Sequence, residues 1–405
     1  MKNIFLIIII LGVSVPGIAM KVPGDGSTPE YIEFQILPEE LLVQIMENNT
    51  TIRAAREQYQ LSLAAANTGN APPDPEIEMG ILSGKPSSLG NRLDFGVIQR
   101  IEFPSAYIHL SRIRKIRYNE AELRYILVRQ EILMNARKLW VERTCLQKEL
   151  ELVGQRLEEE EELHSQYVIK FETGETDRLA LNQSKLLLTS LRNEYEKLNS
   201  SIKSTDIALA QICGGEKVIL PAFGVPDPVK FNPDSLEEDY RNSTEIQLLE
   251  QNQELKRQEE KLAVSRYLPE LMVGYYSETV IDQQFKGLQL GFNIPLWGNS
   301  GNIKQAKAGF LVAEAETNDF LSKQEAVTKR KIEAWKSLSD RLDSYKETMA
   351  DINDVTLLKE SLTHGEISFS EYIYASEFYF RNVQSLYQLE KELLILETEL
   401  LKIYF

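Results

Sequence analysis

The hydrophobic pattern of this chain changes period several times, and the same order of changes occurs twice. Residues 37–67 and 234–267 are rich in Glu, Gln, Leu and Ala, a composition that favours helices. Prolines follow both segments, and proline ends a helix because it lacks a backbone donor and clashes with the preceding turn. The sequence therefore predicts two opening helices, one near residue 37 and one near residue 234.

Alternating apolar and polar positions come after each opening helix. The pattern is clearest in LQLGFNI at residues 288–294, which is apolar at every second position. Polar turn residues separate two such stretches in each half of the chain, within about 76–103 and about 270–294. Each region predicts a β-hairpin, and Pro104 and Pro295 end the second strand of each pair.

Very long helices are predicted after the hairpins, over 105–170 and 302–363, because neither segment contains proline. The first would be about 100 Å long at 1.5 Å per residue, which no globular domain can cover. Glycine-containing turns follow, and return helices are predicted over 176–213 and 367–404. A return helix and the opening helix of the other repeat together reach about 105 Å, so we expect the two to stack in line.

The two halves of the chain are copies of one unit. Asn48 matches Asn242 at an offset of 194, and Gly174-Glu175 matches Gly365-Glu366 at an offset of 191. A repeat of this length predicts a duplicated helix–β-hairpin–long helix–helix unit. The predicted organisation is a signal peptide over 1–19, repeat one over 37–213, an equatorial linker over 214–233 and repeat two over 234–405.

The N-terminus has the pattern of an export signal. Lys2 precedes an apolar run from Ile4 to Val15, and Gly17-Ile18-Ala19 offers small residues for cleavage. A membrane anchor is the alternative interpretation, although the run is short for a bilayer span. No later apolar run is long enough for a transmembrane helix, so any membrane-embedded part is expected to be a β-barrel.

Composition and charge exclude several classes of function. The 405 residues include 61 acidic and 45 basic side chains, and the net charge of −16 argues against a nucleic-acid partner. Two cysteines and three histidines, without CxxC or HExxH spacing, argue against a disulfide scaffold and a zinc module. No phosphate-binding loop and no GxSxG motif occurs. The sequence therefore predicts no enzyme, no cofactor and no metal site.

Taken together, these elements resemble the TolC-like outer membrane efflux protein family. The resemblance covers about residues 37–405 and is most specific in QRIEFP at 99–104, in GFNIP at 291–295 and in the two Gly-Glu turns. It implies a mainly α fold with a membrane β-barrel part, in which three chains form a 12-stranded barrel and a long periplasmic α-helical barrel. The short chain favours the metal-efflux or Bacteroidetes-type branches of this family.

A homotrimer agrees with the physics of strands in lipid. Two hairpins supply four strands, which cannot close a barrel and would leave open edges in the outer membrane lipid, whereas three chains supply twelve. The side chains expected to face lipid are Leu288, Leu290, Phe292 and Ile294, while the intervening residues face the bore. By the repeat, Gln99 would also face lipid, which an amide fits poorly.

The resemblance also implies partners. The turns of this family meet a periplasmic adaptor (membrane fusion) protein, and an inner-membrane pump supplies the energy. The candidate docking residues are therefore Thr173, Gly174 and Glu175 with His364, Gly365 and Glu366. The alternative is that each glycine merely satisfies a turn with positive φ.

A pore gate is implied near the second turn. Glu371 lies six residues after Gly365, where the family often narrows its pore with an acidic residue, and three copies would form a carboxylate ring that attracts cations. The family's second acidic position is Tyr374 here. Alternatives are a solvated helix carboxylate at Glu371, or closure of the tip by packing of Tyr372 and Tyr374.

Two further features of the helices give predictions. The acidic run Glu158–Glu162 is expected to form a solvated face, with an acidic bore as the alternative. Cys145 and Cys213 are predicted to be free thiols packed among helices, because their heights along the tube differ by roughly 20 Å, beyond the reach of a disulfide.

The leading hypothesis is a passive trimeric exit duct in the outer membrane of a Gram-negative bacterium, with a long periplasmic part, docked to an adaptor and an inner-membrane pump. The alternative hypothesis is a soluble periplasmic coiled-coil scaffold or tether. The alternating strand at 288–294, ended by Pro295, weighs against the scaffold.

Overall fold

The structure is a computed structural model, and it describes residues 37–69, 71–86, 89–215, 226, 231–281, 283–295, 300–350, 352 and 354–405. The predicted signal peptide over 1–19 and most of the predicted linker over 214–233 lie outside these residues.

The elements follow the predicted order. They are α1 (Glu39–Asn48), α2 (Thr50–Ala66), β1 (Glu76–Ser83), β2 (Asn91–Ile101), α3 (Pro104–Glu172), α4 (Arg178–Ile212), α5 (Pro233–Arg241), α6 (Thr244–Ser265), β3 (Glu270–Val280), β4 (Gln283–Asn293), α7 (Ser300–Ala350), α8 (Asp354–Thr363) and α9 (Phe369–Leu400), followed by a 3-10 turn over Leu401–Tyr404.

Element boundaries recur at equivalent positions of the two repeats. Helices α2 and α6 begin at Thr50 and Thr244, a pair related by the first offset found in the sequence. The residues that precede α4 and α9, Asp177 and Ser368, are related by the second offset, and both side chains cap their helix. The duplicated sequence therefore forms a duplicated set of elements.

The opening helix of each repeat is divided in two. In repeat one the break falls at Asn49, whose extended backbone separates α1 from α2. In repeat two it falls before Ser243, which is likewise extended and precedes α6. Asparagine is favoured before a helix because its side chain can accept from the first amides, as that of Asn49 does, whereas Ser243 makes no side-chain cap bond. Each predicted opening helix is therefore a short helix followed by a longer one.

Helix α3 is the longest element and the one on which the others pack. Its 69 residues run without interruption, which corresponds to about 100 Å. Helices α2, α4, α6 and α9 all lie against it. Each apolar cluster on α3 is therefore completed by a neighbouring helix.

The second long helix differs from its prediction. The expected single helix over 302–363 is two helices, because α7 ends at Ala350 and α8 begins at Asp354. Two of the three residues between them, Asp351 and Asn353, have short polar side chains. Such side chains compete for backbone hydrogen bonds and favour helix ends.

The end of each return helix contacts the opening helices of its own repeat. The Asn49 side chain donates through Nδ2 to the carbonyl of Ile212 at the end of α4 (2.6 Å), while its Oδ1 accepts from the amide of Ile52 (2.8 Å). In repeat two, the Tyr240 hydroxyl donates to the carbonyls at residues 399 and 400, at the end of α9. Hydrogen bonds between side chain and backbone thus fix both junctions.

The main apolar core lies at these junctions. It combines the start of the described chain, the middle of α3 and the ends of α4 and α9, with buried residues such as Leu41, Trp140 and Leu394. Cys145 and Cys213 are both buried there and both free, as predicted. Burial raises the pKa of each thiol to about 11.

The four strands form one antiparallel sheet in the order β1-β2-β3-β4. Strands β1 and β2 form the first hairpin, β3 and β4 the second, and β2 pairs with β3. The pairing of β2 with β3 joins the two repeats, although helices α3 to α6 all lie between these strands in sequence. Within the described part of the chain, no helix is both long and apolar enough to cross a bilayer.

The junction at the end of α4 generates a stability prediction. Gly214 has φ +83°, and an added Cβ would lie 2.4 Å from the carbonyl oxygen of Asn48. We expect Gly214→Ala to lower the free energy of unfolding by about 2 kcal/mol or more, because a left-handed alanine alone costs roughly 1–2 kcal/mol and the clash adds to this. Thermal unfolding followed by circular dichroism measures the change.

Gly215→Ala is the matched control for this prediction. Gly215 has φ +87°, but an added Cβ there would meet nothing within 4 Å. The control therefore carries the backbone strain without the clash. Equal losses in the two variants would contradict the argument that the junction is closely packed.

Candidate functional site

One face of the sheet is mainly apolar, and its apolar side chains extend across all four strands. The pairing aligns Ile77, Val97, Tyr275 and Leu288 in one row from edge to edge. Directly opposed residues of antiparallel strands share a face. The predicted lipid-facing residues are strongly exposed in the protomer: Leu288 84%, Leu290 71%, Phe292 69% and Ile294 59%.

The opposite face of the sheet carries its ion pairs. The Arg92 Nε atom lies 2.9 Å from Asp94 Oδ1 and 3.2 Å from Glu278 Oε1. Near the other end of the strands, Arg100 Nη2 lies 3.0 Å from Glu76 Oε2. The sheet is therefore amphipathic, with charge pairs on one side and mainly aliphatic and aromatic side chains on the other.

Gln99 is one of several polar residues on the apolar face, where the register also places Ser277 and Lys286. Its Nε2 donates to the carbonyls of Pro73 (2.7 Å) and Arg100 (2.8 Å). The amide nitrogen is thus satisfied by backbone, which lowers the free-energy penalty of an apolar setting. No local pattern indicates this bond, because Pro73 lies 26 residues away.

The two turns that follow the long helices have the same backbone structure. Gly174 and Gly365 have φ of +79° and +74°. The amide of Glu175 donates to the carbonyl of residue 170 (2.7 Å), and the amide of Glu366 donates to that of residue 361 (2.9 Å). These 6→1 bonds end both helices in the manner favoured by glycine. An added Cβ would meet nothing at either glycine, so only φ requires glycine there.

The structure brings the two turns to the same end of the molecule. Tyr167 of α3 packs against Phe369 of α9, with ring centroids 4.2 Å apart, and residues of α4 and α8 surround the pair. Ser370 donates to Gln183 of α4 (3.0 Å). We call this end the tip. The predicted docking residues are all exposed at the tip: Thr173, Gly174, Glu175, His364, Gly365 and Glu366.

Glu371 caps its own helix. Its Oε2 accepts from the Ser368 amide (2.8 Å) and hydroxyl (2.7 Å), and its amide donates to Ser368 Oγ (3.3 Å). This reciprocal capping box satisfies free donors at the start of α9. The bonds from Ser368, the backbone one foremost, lower the pKa of Glu371. Glu371 is exposed and charged, and one of its oxygens is engaged in the cap.

The two tyrosines near the tip have different surroundings. Tyr374 is 78% exposed, whereas Tyr372 is 3% exposed. The Tyr372 hydroxyl donates to Glu160 Oε1 at 3.0 Å. This bond links α9 to α3 across 212 residues of sequence. Tyr372 therefore joins the helices of the two repeats, α3 and α9, within the protomer.

The expectation that Glu158–Glu162 form a solvated face is wrong for Glu160. It is only 4% exposed, although its four neighbours in the run are exposed. Burial raises the pKa of the Glu160 carboxyl, against the bond from Tyr372 and the charge of Arg156. Position 160 lies on the same side of α3 as Arg156 and Tyr167, which are also buried, and this spacing is the only signal in the sequence.

Arg156 adds a further contact between α3 and α9. It is 6% exposed, pairs with Glu377 of α9 and lies over the Phe380 ring at 4.3 Å. No motif in the sequence singles out Arg156, Glu160 or Glu377 as a functional residue. Within the described residues, no group of three or more His, Cys, Asp or Glu side chains is arranged to hold a metal ion.

Comparisons with known proteins show similarity to a family of outer membrane proteins. Residues 41–215 match the family model described as outer membrane efflux protein. No curated protein matches the sequence.

Several solved structures share the fold at low sequence identity. VceC, an outer membrane protein from Vibrio cholerae, is 13% identical with a TM-score of 0.75, covering 89% of this chain and 94% of VceC. CmeC, an outer membrane channel from Campylobacter jejuni, is 14% identical with a TM-score of 0.70, covering 90% and 84%. CusC, described for transmembrane channel formation, is 16% identical with a TM-score of 0.68, covering 89% and 90%. The predicted fold class is confirmed.

The contact between Tyr372 and Glu160 generates a prediction with a pH dependence. Tyr372→Phe removes the donor from a buried carboxylate, so we expect a loss of about 1–3 kcal/mol in the free energy of unfolding. Burial raises the pKa of Glu160 above its ordinary 4.5. The contribution of this group to the free energy of unfolding is therefore fully present below about pH 4.5, and it is lost as the pH rises through the folded-state pKa. The variant should raise that pKa further and lose most stability near neutral pH.

Thermal unfolding at several pH values measures this effect, with Tyr379→Phe as the control. Tyr379 lies seven residues further along α9, makes an edge contact with Phe380 and has no hydroxyl bond to a described residue. Losses of equal size at acid and neutral pH, or equal losses in the two variants, would contradict the role given to the Glu160 contact.

Proposed function

We propose that this chain is a member of the TolC-like outer membrane efflux protein family, whose model matches residues 41–215, and that it forms a passive trimeric exit duct in the outer membrane of a Gram-negative bacterium. The observation that carries the proposal is the amphipathic sheet at one end of an elongated helical body. The matched family and the similar solved structures are efflux proteins and channels, so the chain is not an enzyme.

Both edges of the sheet support the trimer. Strands β1 and β4 are the edges of the described sheet, and each presents unpaired backbone groups. Pairing β4 of one copy with β1 of the next satisfies these groups, and three copies close a barrel of twelve strands. Closure turns the apolar face towards lipid and the ion pairs of Arg92 and Arg100 towards the bore.

The alternative, a soluble periplasmic scaffold or tether, fits the sheet less well. In such a protein the side chains of Leu288, Leu290 and Phe292 would remain in water together with the apolar residues paired to them. Contiguous exposed apolar surface of this kind is rare in soluble monomers and marks contact with a membrane or a partner.

Docking is assigned to the tip. The exposed turns at Gly174 and Gly365 lie at the end furthest from the sheet, with acidic residues Glu175 and Glu366 beside them. A periplasmic adaptor protein that meets this end would join the duct to an inner-membrane pump. The pump supplies the energy, because a passive duct has no energy source of its own.

The gate is assigned to the start of α9. Glu371 and Tyr374 are exposed on successive turns of this helix. In a trimer, three copies of Glu371 form a ring of negative charge that favours cations. The capping box fixes the position of each carboxylate in this ring.

Channel recording tests the duct, and two neighbouring residues of β4 make the test specific. We expect the purified protein to form a stable trimer that conducts ions in planar bilayers. Leu290→Arg should abolish insertion, because an arginine on the lipid face near the bilayer midplane costs about 2–4 kcal/mol per strand, and three copies multiply this penalty.

Gln289→Arg is the control on the opposite face of the same strand. It should insert and conduct, with altered ion selectivity, since substitutions in the bore tune selectivity. A stable trimer without conductance would contradict the proposal, and so would Leu290→Arg protein that inserts as well as the unmodified chain.

The gate gives a separate prediction. Glu371→Gln keeps the capping box, because glutamine also accepts a bond from the cap, but it removes the charge. We expect unchanged thermal stability and a fall in the cation-to-anion permeability ratio, measured from reversal potentials in a salt gradient. An unchanged ratio would assign Glu371 to capping alone.

A further inference from the structure

A cavity of about 420 Å³ lies between the ends of the helices that adjoin the sheet. It is bounded by the end of α2, the first turns of α3, the end of α6 and the start of α7. Arg114 and Arg117 of α3 and Arg266 at the end of α6 provide its charge, while an apolar wall is formed mainly by Leu110, Ile113 and Leu262.

The positive charge of this cavity is incompletely neutralised. Arg114 makes no hydrogen bond or ion pair with any residue that the structure describes. Arg117 Nη2 lies 3.8 Å from Glu259 Oε1, but Lys256 Nζ is nearer to the same carboxylate, at 2.9 Å from Oε2. Arg266 Nε lies 3.2 Å from Oε1 of residue 102. Three guanidinium groups therefore line the cavity with a single lining carboxylate, Glu259.

The excess of positive charge is local. Residues 104–119 contain four cations and no carboxylate, and residues 300–313 at the start of α7 contain two lysines and no carboxylate. The whole chain, by contrast, has a net charge of −16. Cations are thus concentrated in the first turns of the long helices, next to the sheet.

The direction of the side chains brings this charge closer to the sheet. Helical side chains tilt towards the N-terminus, and the N-terminus of α3 follows β2 directly. Arg114 lies about 15 Å along α3 from its start, and a bilayer has a headgroup layer of about 5–7 Å beyond its hydrocarbon core. Long arginine side chains commonly extend along apolar surface to reach such a layer.

We propose that this cavity binds the phosphate headgroup of an anionic phospholipid from the periplasmic leaflet of the outer membrane. The inference rests on the proposed function, which places the sheet in that membrane. Guanidinium groups match phosphate oxygens in bidentate geometry. The apolar wall at Leu110, Ile113 and Leu262 receives the first part of the acyl chains, which free phosphate lacks.

The test compares two double variants of α3 with the same change in charge. Arg114→Gln/Arg117→Gln alters the cavity. Arg112→Gln/Lys115→Gln is the control, because these two residues are exposed on the same helix and do not line the cavity. Native mass spectrometry of the detergent-solubilised protein, titrated with phosphatidylglycerol or phosphatidylcholine, measures the lipid bound per chain.

We expect the cavity variant to bind phosphatidylglycerol about tenfold more weakly, equivalent to about 1.4 kcal/mol. The control variant should bind it as the unmodified chain does, and phosphatidylcholine should bind all three proteins equally weakly. Inorganic phosphate at millimolar concentration should not displace the lipid.

Three results would overturn the proposal. Equal losses in both variants would indicate general attraction between charges, unchanged binding in the cavity variant would exclude the cavity, and displacement by inorganic phosphate would indicate a site for the free ion. Conductance of the cavity variant in phosphatidylcholine bilayers separates this proposal from the duct itself. A duct that conducts without selective lipid binding contradicts only the lipid site, whereas absence of conductance in the unmodified chain contradicts the proposed function.

Discussion

A helix as long as α3 cannot bury itself, and the rest of this structure follows from the ways in which α3 is covered. Helices gain most of their stability in proteins from packing of an apolar face, and α3 finds different partners along its length. Near the sheet Ile113 packs with residues of α6, in the middle Trp140 packs with the start of the described chain and α9, and near the tip Tyr167 packs on Phe369. A compact core is replaced by a series of clusters along one axis.

Buried polar contacts determine how these clusters are joined. Asn49 connects α2 to the end of α4, Tyr240 connects α5 to the end of α9, and Tyr372 connects α9 to Glu160 of α3. Each contact joins helices far apart in sequence. Because a buried donor or acceptor without a partner is unfavourable, these bonds favour one arrangement of helices over others with similar apolar area.

The two ends of the molecule, the sheet and the tip, have different surface chemistry. At the sheet, register alone separates apolar side chains such as Leu290 from ion pairs such as Arg92–Asp94, since a shift of one residue would exchange the faces. At the tip, the turns are exposed and have the same geometry in both repeats. An amphipathic sheet suits a membrane and an exposed polar tip suits a protein partner, which is the distribution that a duct between two compartments requires.

Local patterns along the chain were enough to predict the elements and their duplication. Proline positions, alternation at 288–294 and the glycine turns act within a few residues, so they can be read without knowledge of the fold. The roles of individual side chains were less accessible. Glu371, predicted as a gate residue, also caps its own helix, Gln99 looked misplaced on the lipid face and proved to be bonded to Pro73, and Glu160 looked solvated and proved to be buried. The last two roles depend on which helices and strands lie side by side, and such long-range packing leaves little trace in a local pattern.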